Sequence, residues 1–163
     1  MSSAVNIVIG VVILALVLYR QLRKRTVRAD SRPAVLLILL VLGVFELGTF
    51  GKTHSLSGIA LTMLAVSLVI AAGFGVLRAY TVKLWREEGT LWRQGTYVTA
   101  ALWLVAIGVH FGVDLLIEKE NPVPGLASAA LLLYIAVSFG VQRLVVRARA
   151  NRLDAAAAAG PRA

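Results

Sequence analysis

Three ionisable side chains, Glu46, His110 and Asp114, interrupt stretches of sequence that are otherwise apolar. A charged group in such a setting is costly, so it usually faces a partner or a water-filled cavity. His110 and Asp114 are four residues apart and therefore share one face of a helix. We expect the three side chains to converge on one cavity, where they could pass protons, hold a cation or bind a small ligand. The structural alternative is that they join helices through hydrogen bonds or extend to the outer membrane surface.

The chain contains no nucleophile motif, phosphate-binding loop, zinc-helix motif or Rossmann glycine pattern. It has no cysteine, which excludes disulfides, thiolate metal sites and dithiol electron transfer by this chain acting alone. The two histidines, His54 and His110, are the only residues that could hold a bis-histidine haem, and the loop-like residues before His54 do not favour one. We therefore expect no cofactor, no metal site and no enzyme activity.

The candidate residues belong to long apolar segments that alternate with charged loops. Of the 163 residues, 59% are hydrophobic and 15% are charged, and the mean hydropathy is +0.83. A soluble domain carries roughly 25% charged residues. Apolar runs close to the roughly 20 residues that a bilayer requires predict transmembrane helices. The chain is thus predicted to be an all-α, polytopic membrane bundle of about five transmembrane helices, at residues 4–19, 34–50, 56–77, 97–117 and 125–146.

We expect a single transmembrane domain over residues 1–150, with a short cytoplasmic hairpin between the third and fourth helices. Residues 151–163 are rich in alanine and have nothing to pack against, which predicts a disordered cytoplasmic tail or a frayed extension of the last helix. Small residues within the apolar runs predict close helix packing. They form two pairs, Gly73 with Gly75 and Gly108 with Gly112.

The 17 Lys and Arg residues are distributed unevenly among the loops. Six follow the first helix, four follow the third and five lie from residue 143 onward, at the end of the fifth helix and beyond it, whereas the second and fourth loops hold one each. Because positive charge stays on the cytoplasmic side, this pattern predicts an outside N-terminus and a cytoplasmic C-terminus in the bacterial cytoplasmic membrane. Glu46, His110 and Asp114 then lie in the outer half of the bundle. The net charge of +9 suits anionic lipid headgroups, and no nucleic-acid partner is expected.

Residues 78–96 form the one extended segment predicted on the cytoplasmic side. In one interpretation 81–86 and 90–93 pair as a hairpin, and a three-residue loop at 87–89 places Gly89 in the left-handed region. In the other, the third helix continues and Gly89 caps it, which leaves two glutamates at the negative end of a helix.

The same segment carries a resemblance to a known family. A glycine-rich helix, Gly73-Phe74-Gly75-Val76-Leu77-Arg78, is followed at 82–96 by an acidic-glycine turn between strand-like stretches. The basic first loop and Leu102-Trp103-Leu104 add to it. In these features the chain resembles the CcdC-like family of small bacterial membrane proteins. The resemblance marks Arg78, Trp85, Gly89 and Trp92 as candidate motif residues.

The two tryptophans of this segment, Trp85 and Trp92, are expected at the inner headgroup level, where amphipathic rings collect. The CcdC-like family takes its name from an association with cytochrome c maturation genes. The resemblance therefore implies an accessory role in such a membrane process, without a defined activity.

Two functions stay open at this point. The first is a non-enzymatic membrane protein that acts through partners or helix assembly, as an accessory to a process such as cytochrome c maturation. The alternative is a small proton- or cation-coupled transporter or channel subunit that uses Glu46, His110 and Asp114. The expected partners are the lipid bilayer, anionic headgroups, and a second copy of the chain or another membrane protein.

Overall fold

The computed structural model describes residues 19, 22–27, 34–120 and 126–158, and gives the backbone alone for residues 35, 111, 113–120 and 127–128. The predicted helix at 4–19 lies outside the described residues except for Tyr19. The described residues form four helices and three short strands. In chain order these are β1 (Arg25–Thr26), α1 (Ala34–Thr53), α2 (Gly58–Thr81), β2 (Lys83–Glu87), β3 (Thr90–Gln94), α3 (Tyr97–Glu120) and α4 (Leu126–Ala158).

Three of the described helices are long and apolar enough to cross a membrane, over Leu36–Thr53, Gly58–Thr81 and Ala129–Ala157. Their outward surface is strongly apolar. Phe45 and Val69 are each 71% exposed, and soluble monomers rarely expose contiguous apolar surface on this scale. The mainly helical fold and these membrane-length helices agree with the prediction from the sequence.

Helix α4 is the centre of the bundle, because α1 and α2 both pack against it, while α3 packs against α2. Glycine permits these close approaches. A Cβ added at Gly43 of α1 would lie 2.5 Å from the backbone nitrogen of Leu133, and one at Gly75 of α2 would lie 2.6 Å from the carbonyl oxygen of Ser138. A Cβ added at Gly140 would lie 3.7 Å from Leu36. Because Gly43 lies near Leu133 and Leu36 lies near Gly140, α1 and α4 run antiparallel.

The other glycines singled out in the sequence do not make such contacts within the described part of the chain. A Cβ added at Gly73, Gly108 or Gly112 would meet no described atom within 4 Å. The expected close packing is therefore found at Gly75 but not at Gly73 or at the Gly108–Gly112 pair.

Helix α2 ends at Thr81 because Val82 adopts extended angles, with φ −72° and ψ 125°. The chain then forms two antiparallel strands in which Lys83 lies opposite Gln94 and Glu87 lies opposite Thr90. The loop has two residues instead of the expected three. Glu88 and Gly89 both have positive φ, 49° and 75°, as a type I′ turn requires. Strand β1 pairs with the other edge of β3.

Three threonines close the base of this hairpin. The Thr96 hydroxyl donates to the carbonyl oxygen of Thr81 (3.1 Å) and accepts from the backbone N–H of Thr99 (3.3 Å). The backbone N–H of Thr96 in turn donates to the Thr99 hydroxyl (3.0 Å), which is the reciprocal pattern of a capping box. The end of α2 is thereby joined to the start of α3.

Helix α4 continues to Ala158, which matches the second of the two predictions for the segment from residue 151, an extension of the last helix, as far as the described residues reach. Alanine has the highest intrinsic helix propensity, and Arg86 of β2 forms an ion pair with Asp154, which ties the extension to the sheet. With 33 residues, α4 is about 50 Å long and exceeds the ~30 Å hydrocarbon core of a bilayer.

Candidate functional site

Arg78 is the most enclosed charged residue that the structure describes, with 0% of its surface exposed. The sequence placed it in a cytoplasmic loop, but it lies in the last turns of α2. Gly75, one turn before Arg78, lets the backbones of α2 and α4 touch. Arg78 lies next to this close contact, and its side chain is fully buried.

The Arg78 guanidinium joins three helices. Its Nη2 group donates a hydrogen bond to the Ser138 hydroxyl of α4, and its planar group lies 3.9 Å from the ring centre of Trp103 of α3. The Ser138 hydroxyl donates onward to the carbonyl oxygen of Ala71 on α2 (2.8 Å). Stacking of a desolvated guanidinium on an indole is a favourable cation–π arrangement.

The hydrogen-bonding capacity of Arg78 is only partly used. Its Nε and Nη1 groups have no hydrogen-bond partner among the described residues, and neither does the Oε1 atom of the buried Gln142. Neither ion pair in the described part of the chain includes Arg78. A buried charge without a counter-ion is costly.

A line of buried polar and aromatic side chains extends from Arg78 along the interface of α3 and α4. The Tyr134 hydroxyl donates to the carbonyl oxygen of Ala106 (3.2 Å), and the rings of Tyr134 and His110 lie 4.5 Å apart. Only 6% of His110 is exposed. We call this set the polar seam; it comprises Arg78, Trp103, His110, Tyr134, Ser138 and Gln142.

Glu46 lies in a groove between α1 and α4 that Leu132 also lines, while His110 contacts Tyr134. Residues two apart on a helix point about 200° from each other, so Leu132 and Tyr134 face opposite sides of α4. Glu46 and His110 therefore lie beside different faces of that helix. Asp114 lies one turn beyond His110 in α3, and its side chain is outside the described ones. The convergence of the three side chains stays a prediction.

The motif residues of the hairpin form a compact unit with β1. Trp85 and Trp92 lie directly opposite each other on neighbouring strands, and Lys24 Nζ lies 4.3 Å from the Trp92 ring centre. Lys24 also forms a 2.5 Å ion pair with Glu87. The hydrogen bond from Lys24, a second from Trp85, and the charge of Lys24 hold the pKa of the Glu87 carboxyl below its ordinary value of 4.5.

Basic side chains from three separate parts of the chain gather around this sheet. Arg25 of β1 lies opposite Arg93 of β3. Arg149 of α4 donates to the carbonyl oxygen of Val82 (3.2 Å). Together with the two ion pairs already described, these contacts define what we call the basic end, which contains Lys24, Arg25, Arg86, Arg93 and Arg149.

Several members of the polar seam were not found from the sequence. Ser138 and Gln142 are neutral and interrupt an apolar run without the cost of a charge, so a search for ionisable residues passes over them. Their spacing of four residues on one helix face is the signal that could have identified them. Among the described residues, no three His, Asp or Glu residues are arranged to hold a metal ion.

No protein-family model, curated protein or solved structure matches this chain. The resemblance to the CcdC-like family rests on the residues of α2 and the hairpin, and it stays a prediction.

Proposed function

We propose that this chain is a five-span integral protein of the bacterial cytoplasmic membrane, with its N-terminus outside and its C-terminus in the cytoplasm. Three helices of membrane length support this proposal. Helix α3, with 24 residues, and the apolar segment 4–19 would supply the remaining two spans.

The proposed orientation in the membrane is inferred from the basic end. The first loop, the hairpin and the C-terminal part of α4 are far apart in the sequence, yet their Lys and Arg residues meet around one sheet. Lys52 lies at the other end, because α1 runs antiparallel to α4 and Leu36 is the residue near Gly140. Clustering of positive charge at one end of an apolar bundle is typical of the cytoplasmic side.

The proposed role is non-enzymatic and accessory, in a membrane process such as cytochrome c maturation, as the resemblance to the CcdC-like family suggests. The basic end offers a surface for anionic headgroups and for an acidic partner protein or a second copy of the chain. The absence of cysteine means that a partner would carry any thiol chemistry.

Orientation and span number can be tested with single cysteines, since the natural chain has none. A membrane-impermeant maleimide added to intact cells with a permeable outer membrane should label Ser3→Cys and Lys52→Cys. Glu88→Cys should react only after lysis. The opposite pattern for Lys52→Cys and Glu88→Cys would overturn the orientation, and labelling of Ser3→Cys only after lysis would remove the first span.

The accessory role has its own test. Deletion of the gene in its source organism should reduce haem staining of c-type cytochromes, and the wild-type gene should restore it. Unchanged staining would contradict a role in cytochrome c maturation while leaving the topology proposal intact.

A further inference from the structure

A groove of about 620 Å³ lies between α1 and α4. Its walls are mainly apolar and aromatic, and they come from Leu42, Phe45 and Phe50 of α1 and from Ala129 and Leu132 of α4. Sites for small molecules are typically 300–1,000 Å³ and apolar, with a few polar groups. The size and lining of this groove thus suit one small organic molecule.

The polar side chains that line the groove differ in whether they form hydrogen bonds within the described structure. The Thr49 hydroxyl donates to the carbonyl oxygen of Phe45 (2.9 Å), and the Thr53 hydroxyl is within 3.0 Å of the carbonyl oxygen of Phe50. The Glu46 carboxylate, by contrast, receives no hydrogen bond and forms no ion pair from any described residue. Within the described part of the chain, Glu46 is therefore the one polar side chain of the groove lining without a polar partner.

We propose that this groove binds a lipophilic organic cation, with Glu46 as its counter-ion. The positive charge of the ligand follows from a carboxylate that no described residue pairs with, and its bulky apolar body follows from the apolar walls. Phenyl faces such as those of Phe45 and Phe50 also attract organic cations. A metal ion fits poorly, because Ca²⁺ takes six to eight oxygen ligands and the groove offers one carboxylate.

The depth of Glu46 in the proposed membrane favours its interaction with an organic cation. Glu46 precedes the end of α1 at Thr53 by seven residues, or about 10 Å of helix. If α1 spans the membrane as proposed, the carboxylate lies within the apolar layer, where opposite charges attract more strongly than in water. A cation without a tight hydration shell can enter that layer, whereas an inorganic cation must first lose its water.

The test uses the full-length chain purified in detergent and tetraphenylphosphonium as the probe. Titration calorimetry should show saturable binding of one probe per chain. Glu46→Gln should weaken binding at least tenfold, while Glu46→Asp and the remote control Glu88→Gln should stay within about threefold of the wild type. Tetraphenylborate, which has the same shape and the opposite charge, should not compete. Equal binding by Glu46→Gln and wild type, or competition by tetraphenylborate, would overturn the proposal.

The single-cysteine variant Thr49→Cys distinguishes a bound organic cation from a second copy of the chain or another segment of the chain in the groove. Maleimide should label it, and tetraphenylphosphonium should slow the labelling in the Glu46 protein but not in Glu46→Gln. A disulfide-linked dimer of Thr49→Cys, unaffected by the probe, would show that a second copy fills the groove. Failure of maleimide to react in the folded chain would show that the groove is already covered, for example by residues 4–18. Both results would overturn the proposal, and size-exclusion chromatography verifies folding of each variant.

Discussion

The guanidinium of Arg78 lies 3.9 Å from the centre of the Trp103 ring, and the same guanidinium donates to Ser138. Arg78 thus connects α2 with α3 and α4 at a point where nothing described supplies a negative charge. A buried arginine of this kind is favourable through its stacking and its hydrogen bond, but unfavourable through its desolvation. Which effect is larger decides whether Arg78 stabilises the bundle.

We expect desolvation to be larger, because two of the three guanidinium nitrogens lack partners among the described residues. Arg78→Met, which keeps the length of the side chain and removes the charge, should therefore leave the thermal midpoint in detergent unchanged or raise it. Arg78→Lys should lower the free energy of unfolding by about 1–3 kcal/mol, since the charge stays buried while the planar stacking is lost. A fall of similar size for Arg78→Met would show instead that Arg78 is a net stabilising clamp.

The contact between Gly75 and Ser138 makes a matched pair of variants possible. Gly75→Ala would place a methyl group 2.6 Å from the Ser138 carbonyl oxygen, whereas Gly73→Ala meets no described atom within 4 Å. Forcing α2 and α4 apart should cost about 1–3 kcal/mol, so Gly75→Ala should lower the thermal midpoint by several degrees. Gly73→Ala should not lower it. Equal midpoints for the two variants would contradict the backbone contact.

The two-residue turn of the hairpin makes a prediction at each of its positions. Both Glu88 and Gly89 have positive φ, a conformation that costs a β-branched residue about 1–2 kcal/mol. Gly89→Val should therefore reduce the yield of folded protein more than Gly89→Asn, because asparagine tolerates this region. Glu88→Asn should raise the thermal midpoint slightly, since Asn-Gly is a preferred type I′ pair. Identical yields for the two Gly89 variants would argue against the positive φ.

The attachment of β1 to the hairpin should depend on pH through Glu87. The pKa of this carboxyl is lower in the folded protein than its ordinary value of 4.5, so ionised Glu87 contributes stability at pH values above 4.5. That contribution is lost as the pH falls through the lowered pKa. Acidification below pH 4.5 should release Lys24 from the tryptophan pair and change the tryptophan fluorescence reversibly. Glu87→Gln should remove this transition, and its persistence in that variant would assign it to another group.

The sequence predicted the four helices that the structure describes, because a long apolar run bounded by charges has few alternatives to a membrane helix. The predicted ends were less accurate. α1 and α2 extend to Thr53 and Thr81, where threonine hydroxyls bond to carbonyl oxygens of the preceding turn. Such polar residues end a hydropathy run without ending a helix. α4 exceeds its predicted end at residue 146 by still more, because the charged residues from Arg147 onward end the hydropathy run while the alanines among and after them favour helix.

The site was harder to predict than the fold, because its members depend on how the helices pack. A hydropathy pattern counts Arg78 as a loop residue, and only the approach of α2 to α4 at Gly75 shows that it is enclosed. Likewise, Lys24 and Glu87 are 63 residues apart, and strand pairing of β1 with β3 brings them together. Pairing of that kind leaves no local pattern in the sequence.

Glu46 and His110 were expected from the sequence to share one cavity, and their effects on stability can show whether they act together or separately. Glu46 lines a groove on the Leu132 face of α4, whereas His110 lies against the Tyr134 ring on the opposite face. Residues without shared partners have nearly additive effects on stability. In a double-mutant cycle of Glu46→Gln and His110→Leu, the coupling in the free energy of unfolding should therefore stay below about 0.5 kcal/mol.

The cycle of His110→Leu with Tyr134→Leu is the matched positive control for this measurement. Their rings are 4.5 Å apart, and aromatic pairs contribute about 0.5–1.5 kcal/mol beyond their buried area, so this cycle should show clear coupling. Thermal or denaturant unfolding in one detergent serves for both cycles. Coupling of Glu46 to His110 as strong as that of His110 to Tyr134 would contradict this separation. The groove and the polar seam would then depend on each other, through a shared cavity or through a backbone shift of α4 that both residues feel.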